Sequence, residues 1–148
     1  MSEDKKMLEE KMIYLISCAL HGEAPDKGQT ESLDLTALYK LAAAHSLTAI
    51  ICMALEAADA FAIASAEVVK RWKDAKDKAI RKNMLLDAER GQILGEMERA
   101  GIWYMPLKGS VLKDLYPKYG MRQMADNDIL YDPSRQMDLK EVFMCRGY

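Results

Sequence analysis

Through the first hundred positions, apolar residues recur at helical spacing and polar residues fill the faces between them. From Lys5 to Leu20, Leu8, Met12, Leu15 and Ala19 form one stripe while Lys5, Glu9 and Glu10 lie off it, which predicts an amphipathic helix. His21 to Glu31 gathers Gly22, Pro25 and Gly28 among polar residues and reads as a surface loop. Ser32 or Asp34 can cap a helix carrying Leu35, Leu38, Leu41 and Ala42. Ser46 can cap the next, with Ile50, Met53 and Ala54 on its buried side. From Ser65 to Ala100 there is no proline, and Val68, Val69, Trp72, Ala75, Ala79, Leu86, Ile93 and Met97 predict one long helix or two collinear ones. Asp74 with Lys78 and Asp77 with Arg81 stand acid-first at i,i+4 and support it. Gly91 and Gly95 lower helix propensity on one face, so close approach of a neighbouring helix is expected there.

The pattern changes after Gly101, a good residue for ending a helix. Ile102-Trp103-Tyr104-Met105 is short, β-branched and aromatic, and predicts a strand stopped by Pro106. Ser110 to Leu115 predicts a short helix, Tyr116 to Gly120 a turn, and Asp128-Ile129-Leu130-Tyr131 a second strand closed by Asp132-Pro133. Ser134 then caps a last helix with Met137, Leu139, Val142 and Phe143, running out at Arg146-Gly147-Tyr148. The expected fold class is α+β: residues 1–100 form a helical region, and residues 101–148 the first part of a small mixed sheet, together one compact domain.

Composition narrows the function classes. A chain of 148 residues, half of them hydrophobic, builds one ordinary core. The formal net charge of −2 supplies no global attraction for nucleic acid. The charged start, Met1 to Lys6, does not read as a signal peptide, and the apolar stretch Leu47–Ala64 is broken by Glu56 and Asp59, against a membrane span. Cys18, Cys52 and Cys145 are an odd set without a close pair, each expected to be buried, so a reduced cytoplasm fits. Lys70 to Lys82 holds seven basic residues that wrap around the helix and read as a solvated face. His45 reads as a structural histidine, His21 as a helix-end cation, and the eleven methionines as core filler.

Candidate chemistry concentrates between Gly101 and Asp132. Residues i and i+2 of a strand share a face about 7 Å apart. Asp126 and Asp128, so placed, could hold divalent cations about 4 Å apart, the clamp used in phosphoryl transfer. Gly109 lets backbone approach a phosphate, the helix start favours an anion, and Ser110 could add a hydroxyl donor. Taken singly, these are common features. An Asp-x-Asp near a turn is most often exposed charge, and Gly-Ser before a helix is most often a cap.

Together, Pro106-Leu107-Lys108-Gly109-Ser110, Leu112, Leu115-Tyr116-Pro117, Arg122 and Asp126-Asn127-Asp128-Ile129-Leu130 resemble the core of a mostly uncharacterised bacterial nucleotidyltransferase family of the polymerase-β superfamily. The resemblance implies that Gly109 and Ser110 bind the triphosphate of an incoming nucleotide and that Asp126 and Asp128 ligate Mg2+ or Mn2+. Lys108 and Arg122 match family positions where they would neutralise phosphate charge. The implied reaction is metal-dependent transfer of a nucleotidyl group from a nucleoside triphosphate to a hydroxyl on a small molecule, protein or RNA. Asn127 stands where the family has an apolar residue, and the spacer between Ser110 and Asp126 is longer than the general pattern. The superfamily's third carboxylate lies on a later strand, whereas Asp132 and Asp138 fall at a turn and on a predicted helix. The alternative is therefore a degenerate nucleotide-binding or protein-interaction module without turnover. A sheet lacking later strands would be incomplete, with an exposed edge through which copies could associate.

Overall fold

The apolar stripes fold into helices much as their spacing predicts. The computed structural model describes residues 3–145 and 147, in the order α1 (Glu3–His21), α2 (Lys27–Thr30), α3 (Leu35–Ala44), α4 (Thr48–Ala57), α5 (Ala66–Arg99), β1 (Tyr104–Pro106), α6 (Gly109–Leu112), β2 (Ile129–Tyr131) and α7 (Gln136–Met144). A 3₁₀ turn, Lys113–Leu115, continues α6, and another, Pro133–Arg135, leads into α7. The fold is α+β, a helical body with a small sheet. Its two strands run antiparallel rather than in a mixed sheet.

Met12 and Leu15 of α1, Leu38 of α3, Ile50, Ile51 and Leu55 of α4 and Trp72 of α5 form the larger core, as the helical spacing requires. Trp72 is fully buried; its indole N–H donates to Leu35 O at 3.2 Å and its ring meets Tyr39 edge-on. Lys76 on α5 pairs with Glu56 on α4 at 2.6 Å. A second, smaller core forms where Ile93 and Met97 of α5 meet Ile102 and Leu139, with Tyr104, Ile129 and Tyr131 packed on it. One unbroken α5 joins the two.

Some local expectations hold and several are corrected. Asp34 caps α3, accepting from Thr36 N and Ala37 N at 2.9 Å. Ser46 does not cap α4; it takes a positive φ of 56°, Leu47 stands at the cap, and the capping oxygen comes from Gln123. Among the described residues, no atom outside α5 lies within 4 Å of a Cβ built on Gly91 or Gly95, so none of the described helices packs closely there. Lys27–Thr30 is a helical turn within the predicted loop. Cys145 and Met137 are exposed, unlike Cys18 and Cys52, because α7 turns them away from the small core that Leu139 enters. His45 is exposed at the end of α3 rather than packed, while His21 Nδ1 lies 2.8 Å from Ser17 O. In the basic run, Lys70 pairs with Asp74 and Arg71 with Glu67 along the helix. The expected ending at Arg146 and Tyr148, like Met1 and Ser2 at the start, lies outside the described residues.

The sheet is the part that positions the site. β1 begins two residues later than predicted and includes Pro106, which pairs opposite Ile129. With a partner on one side only, β1 tolerates the missing proline N–H. Met105 and Leu130 pair on the outer face and are exposed, while Tyr104, Ile129 and Tyr131 face the smaller core. Asp126, Asn127 and Asp128 precede β2 instead of lying on it. A single backbone bond, Leu107 N to Asp128 O at 2.9 Å, extends the strand pairing as far as Asp128.

Candidate functional site

Leaving β1, the chain turns sharply at Lys108, whose φ of 49° and ψ of −121° are rare for a residue with a side chain. Backbone strain of this kind costs about 1–3 kcal/mol and gathers at functional positions. The turn brings Lys108 Nζ to 2.9 Å from Asp128 Oδ2. That hydrogen bond and the Asp128 charge, with a smaller contribution from Asp126, raise the Lys108 ammonium above the usual lysine value. Lys108 and Asp128 thus form an ion pair near the surface, with exposed Asp126 two residues back along the chain.

Gly109 and Ser110 open α6, which is a single turn with only a weak dipole. A Cβ on Gly109 would stand 3.0 Å from Met124 Sδ and 3.4 Å from Arg122 Nε. Glycine here admits the 122–124 segment. Ser110 is buried and its hydroxyl donates to Leu107 O at 2.7 Å, so it pins the turn instead of presenting a free donor. Arg122 Nε, beside Gly109, is buried without a hydrogen-bond partner among the described residues. An orphaned buried guanidinium N–H is costly, and an anion would satisfy it.

The segment carrying these groups is fastened to the helices by side chains that periodicity does not single out. Gly120, at φ 87°, lies so close to α5 that a Cβ would come within 2.5 Å of Ile80 Cγ1. Gln123 Oε1 accepts from Thr48 Oγ1 at 2.9 Å and Ala49 N at 3.0 Å, capping α4 from 74 residues away. Asn83 Nδ2 donates to Arg122 O at 2.8 Å, and Asn83 Oδ1 accepts from Met124 N at 3.0 Å. Asn127 donates to Leu86 O at 2.9 Å and accepts from Arg90 Nη1 at 3.0 Å. Arg90 also bonds Asp87 at 2.7 Å, and Asp87 further receives Tyr119 Oη at 2.9 Å and Lys113 Nζ at 3.2 Å. Burial pushes the Asp87 carboxyl up, but its bonds to Arg90, Tyr119 and Lys113 outweigh this and leave it below its ordinary value. Burial and the Asp87 hydrogen bond push the Tyr119 phenol up to about 12. One sequence signal for this network was available: Asn83 interrupts the apolar stripe of α5 between Ala79 and Leu86.

Asp126 and Asp128 offer hard oxygen donors near the surface, the ligand type that Mg2+ takes one or two at a time beside water and phosphate oxygens. The donor set therefore fits a partial magnesium site. Among the described residues, no group of three His, Cys, Asp or Glu side chains could hold a metal ion by itself. Asp126 and Asn127 also border a cleft of about 400 Å³ lined by Ile93, Met97, Tyr131 and Phe143.

The fold and site define a small α+β protein with an acidic segment beside a strained Lys-Gly turn. The chain belongs to the family described as uncharacterised nucleotidyltransferase, whose model matches residues 31–148. No significantly similar curated protein or solved structure was found. Among the described residues, no helix is long and apolar enough to cross a membrane.

Proposed function

We propose that the protein is a nucleotidyltransferase of polymerase-β type that binds a nucleoside triphosphate and Mg2+ or Mn2+ at Lys108, Gly109, Arg122, Asp126 and Asp128. The observation that carries this reading is the Lys108–Asp128 pair at a strained turn, two residues from Asp126 and beside an Arg122 Nε that has no hydrogen-bond partner among the described residues. A bound divalent cation would supply charge neutralisation at the α-phosphate and lower the pKa of an acceptor hydroxyl. Asp126 and Asp128 would hold it. Lys108 would exchange Asp128 for phosphate oxygens as the nucleotide arrives, and Arg122 Nε would donate to an anionic oxygen. The acceptor oxygen bonds to the α-phosphorus while the bond to pyrophosphate breaks; the hydroxyl proton leaves to a base or solvent. A cytoplasmic setting suits this chemistry.

A second reading is favoured by two contacts. Lys108 already neutralises Asp128 and Ser110 is spent on Leu107, an arrangement suited to binding nucleotide without turnover.

A thermal-shift titration with each of the four ribonucleoside triphosphates, with and without Mg2+, tests the site. Ligand that binds only the native state raises the melting temperature by mass action. A metal-dependent shift is expected, and it should vanish in Asp126→Ala/Asp128→Ala. Equal shifts in both proteins, or none with any nucleotide, would reject the assignment.

A further inference from the structure

Asn83 lies three and four residues before Leu86 and Asp87, and these lie four and three before Arg90, so the four share one face of α5. Every one of them holds the segment that ends at Asp128. Asn83 is 1% exposed, and its amide spans Arg122 O and Met124 N. Arg90 reaches Asn127, the residue between the two aspartates, and is itself steadied by Asp87. Strand pairing reaches back only to Asp128, through Leu107 N, and leaves Asp126 and Asn127 to other contacts.

From this arrangement we infer that this face of α5 is a positioning device for the acidic segment, in which Arg90 acts through Asn127, and Asn83 through the backbone at Arg122 and Met124. The inference rests on the reading of Asp126 and Asp128 as the nucleotide and metal site. Its physical basis is directional. An apolar contact at 127 would bury similar area yet permit sliding, whereas an amide that donates to Leu86 O and accepts from Arg90 has one seat. Arg90 is a positioning residue and need touch no ligand. Because Asp87 also takes Tyr119 and Lys113, both the turn after α6 and the acidic segment are referred to the same two turns of α5.

The test compares the full chain with Arg90→Met, Asn127→Leu, the double variant and Arg90→Lys. Two readouts are taken: Mg2+-dependent ribonucleoside triphosphate binding by calorimetry, and backbone hydrogen exchange. In Arg90→Met, binding is expected to weaken about tenfold, the scale of one hydrogen bond to a charged group. Exchange should quicken at the Leu107 amide, which donates to Asp128 O, while α1 to α4 stay protected. The double variant should be no worse than the poorer single one, and Arg90→Lys should recover part of the loss. Unchanged exchange at Leu107, or faster exchange throughout the helices, would overturn the inference by showing no positioning or only general stabilisation. If the wild type binds no nucleotide, the site reading fails, and exchange alone still decides whether Arg90 fixes the segment.

Discussion

The helical body and the sheet end of this molecule are held together by different forces. In the body, Leu38, Ile51, Leu55 and Trp72 are sealed from solvent, and four helices contribute to one apolar cluster. At the sheet end, the buried set is Ile93, Met97, Ile102 and Leu139, and the strands are three residues each. A two-stranded ribbon is marginal by itself. Directed polar bonds from α5 and the Gln123 cap compensate, fixing position where apolar burial is scarce. Stability therefore resides in the body and geometry at the sheet end, where the candidate site stands.

Core truncation should divide the regions most sharply. Trp72→Ala is expected to cost about 3–5 kcal/mol in urea denaturation, and Leu139→Ala, at the edge of a cleft that can collapse, nearer 2 kcal/mol. Equal losses would contradict the division. Next comes Gly120→Ala, where backbone strain at positive φ and the clash with Ile80 together cost roughly 2–4 kcal/mol. This is a body-type penalty arising in the site loop, and denaturation measures it too. A loss below that of an ordinary surface substitution would mean that the loop is not seated on α5.

Lys108→Gly should go the other way. Releasing the strained φ is expected to stabilise the protein by about 1 kcal/mol while abolishing any metal-dependent nucleotide binding. Reduced stability would mean that the ion pair with Asp128 outweighs the strain. The smallest effect is on pH. Asp87 has a lowered folded value, so its contribution is present above the ordinary 3.8 and is lost as pH falls through the lowered one. Tyr119 has a raised folded value, so its contribution is intact below 10.0 and is lost as pH rises toward about 12. Asp87→Asn should flatten stability in the acid window, as melting temperatures across pH would record; an unchanged slope would remove Asp87 from the network.

The helices were readable because burial imposes a period, and α1, α3, α4 and α5 bury residues that their stripes predicted. The turn that brings Lys108 to Asp128 joins two residues that the motif order had singled out. What the pattern could not carry were interactions between distant residues. The α4 cap comes from Gln123, so a nearby Ser46 misleads; Asn127 departs from an apolar pattern because α5 supplies Arg90 and the Leu86 carbonyl. Pro106 entered β1 because only one side of that strand is paired, a fact of topology. Ser110 was expected to face a ligand, yet burial directs its hydroxyl to Leu107.

The central claim is that Asp126 and Asp128, held against α5, form a metal and nucleotide site. Electron paramagnetic resonance of Mn2+ titrated into the protein with a ribonucleoside triphosphate addresses it most directly, since protein-bound and free ion differ in their spectra. The account predicts a protein-bound signal in the wild type that Asp126→Asn/Asp128→Asn removes without lowering the melting temperature. A bound signal of equal strength in that folded variant would contradict it.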